Sequence, residues 1–222
     1  MKKILKFTKK PYIKAMFILT ILFTIYISIS AYNYVQAVSY DISNSVFRLH
    51  VIANSDSEED QNLKYLVRDA LLEYMNTLAT ESNSKEDVIN IASERIHEFE
   101  KIAKNVVNEN GYDYPVNIQI GNFSFPTKKY GDISLPSGFY DAMRVNIGNA
   151  SGQNWWCVMF PPLCFIDITS GIVEDSSKDT LQNNLSNEEY LLISDSNNAG
   201  IQFKFKIVEF FENVKIFIAH KQ

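Results

Sequence analysis

The fold is decided by the stretch Val46-Phe47-Arg48-Leu49-His50-Val51-Ile52-Ala53-Asn54-Ser55-Asp56-Ser57, where a predicted strand runs directly into the start of a predicted helix. Its first eight residues are rich in β-branched and aromatic types, as strands are. Its last four are strong helix-capping residues, and acidic residues follow them. We therefore expect a strand at residues 46–53 and a helix that begins near Glu58.

Two long amphipathic helices are predicted after this strand. Apolar residues recur at three- and four-residue spacing over residues 58–78, which is the period of one helix face. A second helix start lies at Ser84, where Asp87 three residues later forms a pattern close to a capping box. Its apolar face continues to Val106, and Gly111 supplies the stop.

Beyond residue 111 the pattern changes to that of an antiparallel β-meander. Residues 115–120 alternate polar and apolar types, and residues 139–147 and 155–160 are further predicted strands. Glycines and prolines between these runs mark turns. A strand, two helices and a meander in this order predict an α+β domain over residues 46–168.

The rest of the chain is predicted to be a linker and a small C-terminal segment. Residues 169–187 are rich in Ser, Asp, Asn and Lys and have few apolar anchors, which is typical of a flexible linker. Residues 188–222 contain a predicted strand at 201–207 and helical spacing at 210–218. We expect this segment to dock onto the domain; a membrane surface and a partner protein are the alternatives.

The amino terminus predicts export from the cytoplasm. Residues 1–37 carry six lysines and no acidic residue, and an apolar run follows the lysines. Small residues at Val35 and Ala37 fit cleavage of a signal peptide after Ala37. The uncharged stretch 15–40 is also long enough to act as a membrane anchor. Residues 1–37 are therefore a signal peptide or a signal anchor, and residues 38–45 are a linker to the domain.

Charge and motif content exclude several classes of function. Six of the 21 basic residues precede residue 38, which leaves 15 basic against 26 acidic residues in the rest of the chain. A body this acidic repels phosphate backbones, so no nucleic-acid partner is expected. No P-loop, dinucleotide fingerprint or zinc-binding spacing appears, and the sequence predicts neither cofactor nor metal.

One acidic cluster is spaced like the opening ligands of a calcium loop: Asp56, Glu58 and Asp60. Such a loop requires Gly at its sixth position and Glu at its twelfth, where this chain has Gln61 and Val67. Helix capping explains these acids better than calcium binding.

Residues 154–167 concentrate the rare side chains of the protein. The stretch Asn-Trp-Trp-Cys-Val-Met-Phe-Pro-Pro-Leu-Cys-Phe-Ile-Asp contains both tryptophans, both cysteines and a Pro-Pro pair. Adjacent residues of a strand face opposite ways, so one indole can enter the core while the other is exposed as an interface anchor. Packing of both indoles between layers is the alternative. The candidate partner interface consists of Trp155, Trp156, Phe160, Pro161 and Pro162.

The two cysteines of this block, Cys157 and Cys164, allow two interpretations. In an exported protein they fit a disulfide, because the Pro-Pro turn between them can reverse the chain. Alternatively, Cys157 is the nucleophile of an extracytoplasmic hydrolase of cell-wall peptide or protein. Its base would be one of the three histidines, and no local signature of a known cysteine hydrolase surrounds it. The histidines are His50, His97 and His220.

Several separated motifs resemble the stage II sporulation protein R family. They are Phe47–Ser57 with Asp60, Gln61 and Lys64; Val67–Ala70; Phe125–Lys128 with Tyr130 and Gly131; Pro136–Gly138 with Tyr140; Asn154–Cys157; and Pro161–Cys164. They occur in order over roughly residues 46–168, which is far more specific than any single motif. The likeness is loose after Asp167, and nothing is carried over there.

The resemblance implies a signalling protein of endospore-forming bacteria. It implies a protein made in the forespore and exported into the space between the two sporulation membranes. There it would activate a membrane-embedded aspartic protease of the mother cell, the stage II sporulation GA protein, which processes the sigma E precursor. The family is known as a signal without catalytic residues, so the resemblance implies that the chain is not an enzyme. A purely structural module anchored in the membrane is a third interpretation.

Overall fold

The structure of the protein is a computed structural model, which describes residues 11–79, 82, 84–163 and 175–194. The predicted α+β class is confirmed, because an apolar helix, a strand and further helices precede the remaining strands, whose pairings are mostly antiparallel, and the C-terminal helices. The elements are α1 (Pro11–Ser45), β1 (Phe47–Ile52), α2 (Glu58–Leu78), α3 (Lys85–Glu94), α4 (Ile96–Glu109), β2 (Val116–Phe125), β3 (Lys128–Tyr130), β4 (Ile133–Leu135), β5 (Gly138–Ile147), β6 (Asn154–Phe160), α5 (Asp175–Asn184) and α6 (Asn187–Ile193).

Helix α1 contains the apolar run of the amino terminus. Among the described residues it is the helix long and apolar enough to cross a membrane, a test of length and composition that a signal sequence also passes. No glycine interrupts it, and its proline is at the first position, where no helical hydrogen bond is lost. The helix therefore continues through residues 38–45, where the sequence predicts a linker. By its contacts the chain divides into two compact units, Met1–Val38 and Ser39–Gln222.

Within the described part of the chain, the main sheet has four strands in the order β2-β5-β1-β6. Strand β1 pairs in parallel with β5 and antiparallel with β6, and β2 pairs antiparallel with β5. Strand β1 therefore lies between the consecutive strands β5 and β6, which do not pair with each other as they would in a simple meander. All six residues of β1 are buried. The short strands β3 and β4 form a separate two-stranded sheet.

Helices α2, α3 and α4 cover one face of the main sheet. Trp155 of β6 contacts Tyr65 of α2, with ring centroids 5.3 Å apart, and Asp141 of β5 pairs with Lys85 of α3 at 2.6 Å. Because side chains alternate along a strand, the residues in register with Trp155 and Asp141 face the helices as well. Buried apolar side chains fill this layer: Phe47, Leu49, Val51, Val67, Leu71, Phe99 and Ala103.

The second predicted helix is divided in two at Arg95. Arg95 has φ −106° and ψ 16°, outside the helical region, and it separates α3 from α4. The buried positions Ala92 and Phe99 on either side keep a seven-residue spacing, so both halves direct their apolar residues toward the body. The apolar period is continuous across the break, and for this reason the sequence pattern predicts one helix.

The region predicted as a flexible linker, residues 169–187, contains helix α5. Leu181 is buried, the Ser177 hydroxyl donates to the Pro162 carbonyl at 2.8 Å, and Lys178 pairs with Asp132 at 2.8 Å. One buried leucine on a short polar helix gives too weak an apolar period to be distinguished from a linker. The predicted strand at 201–207 and the helical spacing at 210–218 lie outside the described residues.

Candidate partner-binding site

Strand β6 places its two tryptophans on opposite faces of the sheet. Trp155 lies on the helix side, edge-to-face with Tyr65, and the Arg68 guanidinium lies 4.4 Å from its ring centroid. Trp156 lies on the other side, where its ring stacks on His50 at 3.6 Å with 18° between the planes. Both indoles are half-buried, so each combines a fixed inner contact with an accessible outer surface.

His50 supports Trp156 from the centre of the sheet. It is 6% exposed, and its Nε2 forms a 2.7 Å hydrogen bond with Asn154 Oδ1. Burial lowers the pKa of His50 to about 4; the bond with Asn154 opposes the shift, and the positive charges of Arg144 and Arg48 add to it. The imidazole is therefore neutral at pH 7, as stacking inside an apolar environment requires.

An arginine in an aromatic cage lies beside this stack. Arg48 is fully buried, and its guanidinium carbon lies 4.1 Å from the ring centroid of Phe125 and 4.7 Å from that of Tyr140. Its Nη2 donates to the Tyr130 hydroxyl at 2.6 Å, and that hydroxyl donates to the Trp156 carbonyl at 3.2 Å. The cage connects β1 and the β3–β4 hairpin to the backbone of Trp156 and fixes the position of this residue.

The remaining residues of the predicted interface follow β6. Phe160 is 6% exposed, Pro161 is buried and Pro162 is exposed. The chain reverses here, since the Leu163 N–H donates to the Val158 carbonyl at 3.1 Å. Within the candidate interface, the side chains with a surface for a partner are Trp155, Trp156 and Pro162. Phe160 and Pro161 instead form the buried base of the turn.

Cys157 lies on the helix side of β6 and is 1% exposed. Cys164, its predicted partner, lies outside the described residues, and the pairing of the two cysteines stays a prediction. In the sheet register Cys157 is opposite Leu49, whereas His50 is opposite Trp156. The imidazole ring of His50 and the sulfur of Cys157 are therefore on opposite faces of the sheet.

The other histidines do not supply a base for Cys157 in the described part of the chain. His97 is on the surface of α4, with its side chain 90% exposed and its Nδ1 3.3 Å from Glu100. His220 lies outside the described residues. The cysteine-hydrolase alternative therefore gains no support from the arrangement of the described histidines.

The acidic residues Asp56, Glu58 and Asp60 lie at the start of α2, which Ser57 caps. The Ser57 hydroxyl accepts the Asp60 N–H at 3.2 Å, and the Asp60 carboxylate accepts bonds from Asn54 at 2.8 Å and the Ser55 hydroxyl at 2.5 Å. Burial favours the neutral carboxyl, but these hydrogen bonds outweigh it and lower the pKa of Asp60. Across residues 11–79, 82, 84–163 and 175–194 no group of three or more His, Cys, Asp or Glu side chains could hold a metal ion.

Sequence comparison assigns the chain to a family. It matches the profile of stage II sporulation protein R over residues 43–170. The chain belongs to this family. Stage II sporulation protein R of Bacillus subtilis (strain 168) is 38% identical to it over 130 residues, which are 59% of this chain and 58% of that relative. The match thus spans less than two thirds of the relative's length, and no solved structure matches the chain.

The region shared with stage II sporulation protein R includes strands β1 to β6 and helices α2 to α4, and with them the Trp156–His50–Arg48 cluster. Sequence reasoning placed the tryptophans but missed Arg48 and Arg144 as parts of the same site. One signal was present: Arg48 and His50 are two residues apart in an otherwise apolar strand, and so share one face. The pattern did not show which residues of β5 and β6 lie beside them.

Proposed function

We propose that this chain is an exported signal of sporulation that activates a membrane-embedded aspartic protease, the stage II sporulation GA protein. That protease then processes the sigma E precursor in the mother cell. Membership of the stage II sporulation protein R family supports a role in sporulation. The apolar helix α1 supports delivery across a membrane, as a signal peptide or as an anchor, into the space between the forespore and mother-cell membranes.

One observation supports binding of the partner protein at β6. Trp156 is half-buried, and its ring and backbone are fixed by His50 and by the cage around Arg48. A tryptophan held in one position loses little conformational freedom on binding, and such residues dominate the energetics of interfaces. Trp155 provides a second anchor across the edge of the sheet, held by Tyr65 and Arg68.

Activation requires only that the exported body binds the active state of the protease more tightly than the inactive state. The outward-facing part of the protease is the surface within reach of an exported partner. Binding there shifts the protease population toward the active form, and no catalytic group of this chain takes part.

The test is co-expression of the full chain, the protease and the sigma precursor in a host that does not sporulate. Processing of the precursor should depend on this chain. Trp156→Ala should reduce processing strongly and Trp155→Ala should reduce it as well, while protein levels stay unchanged. Phe139→Ala is the matched control, because Phe139 is an aromatic residue of the same sheet, 56% exposed and outside the block.

Two different outcomes would contradict the activating role and the position of the contact surface. Precursor processing that is the same with and without this chain would exclude the activating role. Processing that depends on the chain but is unaffected by both tryptophan variants would leave the role in place and move the contact surface away from β6.

A further inference from the structure

We infer that the sheet face opposite the helices binds a carboxylate-bearing extended segment of the partner protein, with Arg144 as its receptor. This inference rests on the proposed function and names the chemistry of its binding site. We call this surface the open face. It is formed by side chains that share the register of His50 and Trp156: Gln119, Phe123, Arg144, Asn146, Asn154 and Trp156.

The open face carries positive charge on an acidic protein. The chain has 26 acidic and 21 basic residues, yet no strand position on this face of the four strands is Asp or Glu. The acidic residue of β5, Asp141, is on the helix side with Lys85. An acid-free face bearing arginine attracts an acidic partner segment, although the body as a whole would repel one.

The arginines of this face are the ones that lack a counter-ion among the described residues. Arg68 pairs with Asp69 at 2.6 Å, and Arg95 pairs with Glu98 at 3.4 Å. Arg48 and Arg144 form no ion pair within the described part of the chain.

Unpartnered polar atoms are concentrated at the same place. In the described chain, buried atoms without a hydrogen-bond partner include Nε of Arg144, Oδ1 of Asn146, Nδ1 of His50 and both Nε and Nη1 of Arg48. Buried polar groups are normally paired, and the unpaired Nε–H of Arg144 is a donor that a carboxylate bound on this face can satisfy. Arg48 and His50 are more than nine-tenths buried and lie under the surface, while Arg144 is half-buried and directly accessible.

The neighbours of Arg144 select a peptide carboxylate as the ligand. A guanidinium binds a carboxylate through two parallel hydrogen bonds. The Arg144 guanidinium lies 5.4 Å from the Phe123 ring centroid, and Trp156 offers a second aromatic surface for an apolar side chain next to the acid. Gln119 and Asn154 are exposed amides that can bond to the backbone of an extended segment. An anionic membrane is a poorer fit, because it is typically recognised by clusters of four or more basic residues.

The experiment measures binding of the full chain, in mild detergent, to the solubilised protease. Arg144→Gln should weaken binding by about tenfold or more, since a hydrogen-bonded charge is lost. Arg144→Glu should weaken it further, and Arg144→Lys should retain part of it. Replacing the outward-facing Asp and Glu residues of the protease one by one with Lys should reveal a position that restores binding of Arg144→Glu. Arg95→Gln is the matched control, because it removes the same charge from the helix side.

The outcomes separate this inference from the proposed function. If the wild-type chain neither binds the protease nor promotes processing, the proposed function fails. If the wild-type chain does both and the Arg144 variants bind as Arg95→Gln does, the inference is overturned alone. If the Arg144 variants do not fold, the salt dependence of wild-type binding is measured instead. The affinity for the protease should fall as the salt concentration is raised, and an affinity independent of salt would overturn the inference.

Two further ligands are tested with the same variants. The chain is tested for tighter binding to phosphatidylglycerol vesicles than to phosphatidylcholine vesicles. If Arg144→Gln loses this preference but still binds the protease, the open face binds a membrane and the inference is overturned. Inorganic phosphate that competes with the protease as strongly as acetate does would also overturn it, because the face would then be a general anion site.

Discussion

Acidification should destabilise this protein through a single histidine. Burial is the main reason why the pKa of His50 falls from 6.5 to about 4 in the folded chain. Because the folded pKa is the lower one, the unfolded chain takes up a proton first as the pH falls. The stability that neutral His50 contributes is therefore complete above pH about 6.5 and is lost as the pH falls toward about 4.

The magnitude follows from the two pKa values. A change from 6.5 to about 4 corresponds to about 3.4 kcal/mol when the loss is complete. At pH about 4.5 the loss is about 2.5 kcal/mol, because the folded state has begun to bind the proton as well. Between pH about 7.5 and about 4.5, His50 alone should thus remove about 2.5 kcal/mol from the free energy of unfolding.

Urea unfolding of the full chain, in mild detergent and at both pH values, measures this loss. His50→Gln should lose about 2.5 kcal/mol less than the wild type on acidification, since it lacks the titrating ring. Carboxylates with lowered pKa, such as Asp60 and Asp141, contribute equally to both proteins and cancel. His97→Gln is the control: its histidine is exposed on α4, and it should lose as much as the wild type.

An equal loss for the wild type and His50→Gln would refute the reasoning. The histidine would then titrate alike in the folded and unfolded states, and the stack with Trp156 would not require a neutral ring. A loss that disappears in His97→Gln would place the titrating group on the helix surface instead.

Three further predictions concern stability and are measured by urea unfolding at pH about 7.5. Gly152→Ala should destabilise the protein by more than about 2 kcal/mol, because the added Cβ would clash with the backbone oxygen of Ser55. Gly121→Ala is the control and should cost about 1 kcal/mol or less, because its Cβ would meet only the Phe123 ring at 3.6 Å. Phe99→Ala should cost about 3–5 kcal/mol, because Phe99 is fully buried in the helix layer, and Leu66→Ala, at a position 46% exposed, less than about 0.5 kcal/mol. Ser57→Ala should cost about 1 kcal/mol through loss of the α2 cap, and an unchanged midpoint would exclude the capping role.

Most elements of the fold were predictable because their signals are local. The Ser57 cap and the apolar period locate α2 at Glu58–Leu78, as expected from the sequence. The strands β1, β5 and β6 lie within one residue or so of their predicted bounds. Three features differ from the prediction: the break at Arg95 leaves the apolar period intact, α5 has a single buried leucine and almost no period, and α1 continues through the predicted linker at residues 38–45.

The candidate site was predictable only in part. The rarity of Trp155 and Trp156 marked the block, and strand alternation correctly placed the two indoles on opposite faces. Nothing local indicated that Phe160 would be buried under the turn, because burial depends on what packs against a residue.

The sequence by itself determined which segments are helices and strands, which stretch is apolar enough to enter a membrane, and where the chain concentrates its aromatic anchors. These properties depend on the spacing and type of neighbouring residues. Only the tertiary structure decided that β1 lies between β5 and β6, and so brought His50 beside Trp156 and Arg144. The physical reason is that strand pairing joins residues about a hundred positions apart through backbone hydrogen bonds. These bonds are the same for every side chain, so they leave no mark in the sequence pattern.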